Sequence, residues 1–372
     1  MVNRSLNEVV CGISSGTTTN HQVKGTYVVY GSTGIIGYTD NPDYYGEKVL
    51  VARVGANAGT TNIVCGKYGV SDNTLIVEVN PENETKYIYY SLKYKKLNQL
   101  IFGSGQPLIT GSLLKNITLY IPDKNSQKCI CDVLSDVDSL ISSLEKLIAK
   151  EKAVKQGAMQ ELLTGKKRLP GFDGEWKHCY LSQLGIFIKG SGISRDESNS
   201  GTLLAVRYGE LYTKHNNYIT KFYSHISEDV ANDAKRIYYG DILFAASGET
   251  KEEIGKCAAI VSNEEVYAGG DILIFRPFND LNPLFMGTVL NMPEAQKQRA
   301  EKGQGDAVVH IHADDLGKMS VYIPEFEEQT AIASVLSDMD NEIEALEQKL
   351  TKTRQVKQGI MQQLLTGKIR LV

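Results

Sequence analysis

One segment of this chain is written twice. Residues 127–169 and residues 329–371 align without a gap, from Gln127 against Gln329 to Leu169 against Leu371, and about 24 of some 43 positions are identical. Each copy follows a larger, more varied segment, so the chain divides into residues 1–126, 127–169, 170–328 and 329–372. That order marks a pseudo-two-fold, two-lobed protein. A function needing two similar but non-identical binding units is the first to consider.

The repeated segments have the period of helices. Leu134, Val137, Ile141, Leu144 and Ile148 alternate steps of three and four, and Leu336, Met339, Ile343, Leu346 and Leu350 repeat the pattern. These residues are the expected apolar seam of a two-helix antiparallel coiled coil. Beyond them the phase slips in both copies, resuming in steps of four at Val154, Ala158 and Leu162 and at Val356, Ile360 and Leu364. A matched slip predicts the same local adjustment in two helices packed side by side. Gly165 and Gly367 stand where a helix-ending glycine belongs, and Pro170-Gly171 stops the first helix. From Leu134 to Leu163 the helix would run about 30 residues, or about 45 Å. That length outgrows a single small domain; the alternative is a helix pair lying on one core.

The large segments are β-rich. Residues 26–30, 49–54 and 74–79 in the first, and 241–246 and 271–275 in the second, are strand-like runs between glycine-rich turns. Their order is similar, and Ile121-Pro122 and Ile323-Pro324 sit at matching offsets ahead of the helices. The domains are therefore repeated too, but have diverged further. Similar helices fit a shared structural task, such as packing on each other and on two copies of one partner. Divergent domains fit two different ligands of one class.

With 372 residues, 42% hydrophobic and 23% charged, the chain has room for two cores. No stretch approaches the roughly 18 apolar residues of a membrane span, and the first residues lack a signal peptide's apolar run. A cytoplasmic protein with no membrane partner is expected. The six cysteines show no C-x-x-C spacing, and Cys129 and Cys131 face Ala331 and Ala333 in the second copy. Buried, reduced thiols are expected.

Several patches resemble the specificity (S) subunit of a type I restriction–modification system. Tyr30-Gly31-Ser32-Thr33-Gly34-Ile35-Ile36-Gly37 and Arg53-Val54-Gly55-Ala56-Asn57-Ala58-Gly59 resemble parts of that family's target-recognition domains. Gln329-Thr330-Ala331-Ile332 and the recurring Leu-Leu-Thr-Gly-Lys resemble its spacer helices, and residues 170–176 resemble the lead into a second recognition domain. The resemblance spans essentially the whole chain. It implies an α+β fold with two similar β-rich target-recognition domains separated by an antiparallel two-helix coiled coil. It also implies a non-catalytic subunit in which each domain reads one half of a split double-stranded DNA target and the helices set the gap. Two methyltransferase (M) subunits would dock beside the helices, and restriction/translocase (R) subunits would complete the enzyme. No cofactor is expected in this chain; S-adenosylmethionine, ATP and Mg belong to the partners.

Segments that tempt an enzymatic reading are incomplete. Asn41-Pro42-Asp43-Tyr44 and Asn282-Pro283-Leu284-Phe285 lack the second proline of an amino-methyltransferase motif and read as turns. Residues 31–37 lack the ending of a phosphate loop and read as strand and turn. His310 and His312 would share a strand face, but no further Cys or His lies nearby, so no metal is expected. Residues 81–86 read as a polar loop rather than a nuclease centre.

DNA readout needs polar side chains on loops, with Arg and Lys for phosphates. In the first domain the candidates are Arg53, Asn57, Thr60, Thr61 and Asn62, the cations Lys93, Lys95 and Lys96 among Tyr90 and Tyr94, and Gln106. In the second they are Arg195, Arg207, Tyr208, Ser247, Thr250, Lys251 and Gln304. The net charge of -4 is uneven: about -9 falls on residues 171–328, while the other three segments are slightly positive. Autonomous DNA binding should therefore be weak and salt-sensitive. The rival readings are a two-lobed protein-binding scaffold without DNA recognition, and an enzyme with a cryptic site in one lobe.

Overall fold

The computed structural model describes residues 2–100, 107–305 and 308–371. The chain forms two compact units, Met1–Ile148 with Ala345–Val372, and Ala149–Glu344.

In the first unit, strands Val10–Ser15, Thr74–Val79, Lys48–Ala52 and Thr61–Val64 form one antiparallel sheet in that order. A second sheet runs Gly34–Thr39, Tyr27–Gly31, Lys67–Val70, Tyr44–Tyr45, with Tyr27–Gly31 parallel to Lys67–Val70. Val2–Ser5 pairs with Thr118–Ile121. Val49, Leu50 and Val51 are all buried. This explains why the central strand reads as a continuous apolar run: both its faces are covered.

The second unit repeats this plan. Gly185–Lys189, Ile272–Pro277, Ile242–Ala245 and Cys257–Ile260 follow the same order, extended by Tyr218–Ile219. Its other sheet runs Ser224–Ile226, Leu203–Val206, Val266–Ala268, Lys235–Ile237, again with a parallel central pair. Lys177–Tyr180 pairs with Ser320–Ile323. The strand expectations hold to within a few residues.

The long helices are Lys124–Leu162 and Phe326–Leu364, 39 residues each, or about 58 Å at 1.5 Å per residue. They exceed the expected length because each starts well before its first seam leucine. Both end on a glycine in the left-handed region, Gly165 at φ +68° and Gly367 at φ +71°. Their amides turn back to the carbonyls of Leu162 and Leu364.

The apolar seam is shorter than its spacing implied. Ile141, Leu144, Ile148, Leu346 and Leu350 pack together in the first unit. Leu134, however, joins that unit's domain core, and Leu336 joins the core of the second unit, with Met339 against it. Ile343 is buried and Val137 half-buried. The phase slip also has a different cause from the one expected. Both helices are unbroken; past the seam Val154 and Val356 are exposed, and the apolar positions after them turn to a domain. Ala158, Met159, Leu162 and Leu163 enter the second unit's core, and Ile360, Met361, Leu364 and Leu365 enter the first unit's.

Gln127 and Gln329 show why the repeat begins where it does. Gln127 is 1% exposed: its amide nitrogen donates to Asn83 Oδ1 and the Pro122 carbonyl, and its oxygen accepts from the Glu84 amide, each at 2.9 Å. Gln329 donates to the Pro324 carbonyl and accepts from the Asn282 amide, each at 3.0 Å. One glutamine thus ties a long helix to the preceding Ile-Pro step and to the start of a domain helix. Buried amides survive only when so satisfied.

The cysteine expectation needs correction. Cys131 and Cys257 are buried, but Cys11, Cys65 and Cys129 are exposed. Two residues apart on a helix means nearly opposite faces, so Cys129 points outward while Cys131 packs inward. Burial pushes the Cys131 thiol up to about 12. Among the described residues no helix is long and apolar enough to cross a membrane.

Candidate nucleic-acid interface

The recognition candidates gather after the central strand of each domain. In the first unit, Arg53 closes strand Lys48–Ala52; its amide donates to the Asn73 carbonyl and its carbonyl accepts from the Ile109 amide. In the second, Ala246 occupies the same place, bonded to Asp271 and Ile311 in the same way. The two loops therefore leave equivalent points of equivalent sheets.

In the first loop, Asn57 and Thr60 are exposed, and Asn62 is exposed on strand Thr61–Val64. The Arg53 guanidinium is half-buried, 3.4 Å from Ser15 Oγ. Thr61 is buried and donates to the Gly59 carbonyl, so it presents no free group. Lys93, Lys95 and Lys96 are exposed where helix Thr85–Tyr94 ends. There they line a groove of about 720 Å³ with Tyr94, Arg354 and Lys357. The structure thus joins the lysine cluster to the second long helix, which sequence reasoning did not anticipate. Gln106 lies outside the described residues.

In the second unit, Thr250 and Lys251 are exposed on the loop after Ser247-Gly248. Ser247 is buried; its hydroxyl lies 3.0 Å from His310 Nδ1, and its carbonyl accepts from Tyr212. Strand Ser247–Gly248 pairs with Val309–His310, and Gln304 exchanges backbone hydrogen bonds with His310. Ser247, Gln304 and His310 form one polar junction beneath the loop. His310 is exposed there as a neighbour of Ser247, while His312 precedes helix Ala313–Gly317 and is not on that strand. Among the described residues no group of three or more His, Cys, Asp or Glu could hold a metal.

Arg207 precedes helix Tyr208–Thr213, whose Tyr212 reaches Ser247, so Arg207 and exposed Tyr208 belong to this region. Arg195 does not: it precedes the turn Asp196–Ser198 beside strand Ser224–Ile226 of the other sheet. Arg299 was missed. It is 3% exposed and donates to the carbonyls of Ile254 and Leu290, and a side chain on Gly255 would meet it at 2.6 Å. A buried guanidinium thus fixes the foot of the loop, and burial lowers its affinity for its proton. Its only sequence signal was a basic residue in an otherwise polar helix.

Other segments resolve into structure. Asn282 caps helix Pro283–Val289, accepting from Leu284 and Phe285, rather than making a simple turn. In residues 41–44, Asp43 accepts from Thr18 and Tyr44 opens a short strand. Residues 31–37 form a hairpin between Tyr27–Gly31 and Gly34–Thr39. Arg168, in the segment after the first long helix, makes a two-pronged pair with Glu328, both bonds at 2.6 Å, and Trp176 joins at 3.2 Å. Its charge is spent inside the protein.

The two long helices also share an exposed feature at equivalent positions. Val154 and Val356 hold equivalent places and are 45% and 49% exposed. Three residues on, Gly157 and Gly359 also match, with open space where a side chain would stand. Glycine inside a helix costs about 1 kcal/mol relative to alanine, and at neither position would an added side chain meet a described residue within 4 Å.

The two units thus hold α+β domains of one plan, with loops that leave equivalent points of equivalent sheets. The profile of the type I restriction modification DNA specificity domain matches residues 2–154 and 174–354, and the chain belongs to that family. The MjaVIII specificity subunit of Methanocaldococcus jannaschii is 26% identical over 346 residues, covering 87% of this chain and 79% of that protein. The putative MjaX specificity subunit of the same organism is 26% identical over 324 residues, covering 80% and 72%. The fold is shared with the crystal structure of a type I S subunit from M. genitalium, at TM-score 0.65 and 15% identity over 98% of this chain and 96% of that one. It is shared too with a chain solved in work on complex assembly and conformational transition of the type I R-M system, at TM-score 0.59 and 15% identity over 99% and 98%.

Proposed function

We propose that this chain selects a split DNA sequence for a type I restriction–modification complex without performing chemistry itself. Each domain reads one half-site, and the paired helices set the gap. The observation that carries this reading is the matched departure of the two candidate loops, at Arg53 and at Ala246, from equivalent sheets in domains whose loop sequences differ. Same scaffold with different loops is what reading two different half-sites requires.

The partners follow from the same logic. Two copies of a methyltransferase subunit dock on the equivalent exposed faces around Val154-Gly157 and Val356-Gly359, and restriction subunits join them. S-adenosylmethionine, ATP and Mg serve those partners. The test is to co-express the chain with its methyltransferase and map methylated adenines across a genome. A split motif with a fixed gap is expected, and exchanging residues 171–328 should change one half only. A continuous motif, or none, would refute the reading.

A further inference from the structure

Two polar sets sit at equivalent places on the long helices. In the first unit, Lys357 donates to Asp138 Oδ1, and the Tyr90 hydroxyl donates to Asp138 Oδ2 at 2.9 Å. In the second, Lys155 donates to Asp340 Oδ1, and the Tyr218 hydroxyl donates to Asp340 Oδ2 at 3.2 Å. Asp138 and Asp340 are copies of one position in the repeat, as are Lys155 and Lys357. The tyrosines are not copies: Tyr90 lies on helix Thr85–Tyr94 and Tyr218 on strand Tyr218–Ile219. Two diverged domains have supplied a phenol to the same carboxylate by different routes.

The apolar seam alone is a poor ruler. Ile141, Leu144, Ile148, Leu346 and Leu350 are all aliphatic, and a three-four pattern matches itself again after seven residues. Core packing at the helix ends, Leu134 with Met361 and Leu162 with Leu336, works against a slip, and the polar sets add a specific penalty along the helices themselves. A seven-residue slip would bring Asp138 opposite Leu350 or Leu364, and Asp340 opposite Ile148 or Leu162. Each carboxylate would then face aliphatic side chains without its lysine, and a half-buried charge without a partner is strongly disfavoured. A buried polar pair in an otherwise apolar seam is a known means of fixing register.

We infer that Asp138–Lys357–Tyr90 and Asp340–Lys155–Tyr218 are register pins: they fix the alignment of the two long helices, and through it the gap in the DNA target. The inference rests on the spacer reading proposed above. Because each tyrosine belongs to a globular domain, each pin also ties helix register to the domain beside it. One slip of seven residues displaces the helices by about 10 Å, close to three base pairs of DNA.

The test compares three forms of the chain in the methyltransferase complex: native; pin-less, with Asp138→Leu, Lys357→Met, Asp340→Leu and Lys155→Met; and pin-reversed, with each Asp and Lys exchanged. Two quantities are read. The first is cross-linking by a short bifunctional thiol reagent between Glu145→Cys and Arg354→Cys, which are paired at 2.6 Å in the native register. The exposed Cys11, Cys65 and Cys129 are replaced by serine for this arm. The second is the distribution of gap lengths among methylated sites. The pin-less chain should lose at least half of the cross-link and methylate sites with more than one gap; the reversed chain should recover both. A full cross-link without pins, or a single native gap despite an absent cross-link, overturns the inference. A native complex that shows no split motif instead refutes the spacer reading. If the pin-less chain does not fold, the reversed chain decides: failure to restore native cross-linking and a single gap overturns the inference.

Discussion

Lys357 meets Asp138 at one end of the helix pair's apolar seam, and its ammonium also lies 5.5 Å from the centre of the Tyr90 ring. The residue is only 9% exposed, so its charge relies on these two partners. Asp138→Ala should therefore destabilise the chain by about 1–3 kcal/mol, since it leaves a buried cation unpaired. The double variant Asp138→Ala, Lys357→Met should lose less than Asp138→Ala alone. Urea unfolding of the two variants checks the order.

Gln127→Ala removes three hydrogen bonds and leaves the Glu84 amide without its acceptor. A loss of about 2 kcal/mol is expected, with faster hydrogen exchange at Glu84. Gln329→Ala should act in the same way on the Asn282 amide.

His215 is 5% exposed, and burial, aided by the nearby Lys256 charge, pushes it down to about 4 from an ordinary 6.5. A base whose folded value is depressed resists protonation while the unfolded chain accepts it. Stability from this group is thus complete above pH 6.5, falls as the pH drops towards 4, and levels off below. The total is about 3 kcal/mol at most. His215→Gln should flatten that acid limb in unfolding measured between pH 7 and pH 4.

Gly359 within the second long helix and Gly367 just past its end should respond oppositely to alanine. At Gly359 the added carbon meets nothing, and the isolated chain should gain about 1 kcal/mol. At Gly367 the backbone is left-handed and the carbon would lie 2.7 Å from the Tyr120 ring, so alanine should cost more than about 1 kcal/mol. Thermal unfolding separates them. Gly157→Leu with Gly359→Leu should leave folding intact yet reduce methyltransferase co-purification, if these faces are its docking surface.

Replacing Lys93, Lys95 and Lys96 by alanine should weaken DNA binding by the complex without altering the methylated motif. The slope of log affinity against log salt should fall by up to about 0.9 for each phosphate that is no longer neutralised. A changed motif would place these residues at base edges instead.

The repeat and the strands were legible because period and apolar runs are local properties. Leu134 shows where that legibility ends: its spacing is that of a seam residue, yet it packs into a domain core. Spacing shows which side of a helix is apolar but not which neighbour covers it. The candidate loops were found from polar residues following strands, but Thr61 and Ser247 are turned inward, because a strand's alternation decides which side chains reach solvent. Arg299 escaped notice, and His310 was weighed only as a metal ligand, because their roles depend on segments some 45 and 63 residues away in sequence. Val154 and Val356 were legible as apolar positions of the repeat, but their exposure was not.

Met361, Leu364 and Leu365 are buried in the core of the first unit. The second unit, by contrast, is a continuous stretch of chain. During synthesis it can close as soon as residue 344 has emerged from the ribosome, while the domain made first waits with an open flank until residue 365 arrives. The order in which the two cores can be completed therefore runs against the order of synthesis. The waiting domain is the one most exposed to aggregation or premature capture, and a chain cut short within its second helix would leave the earlier-made domain unfinished.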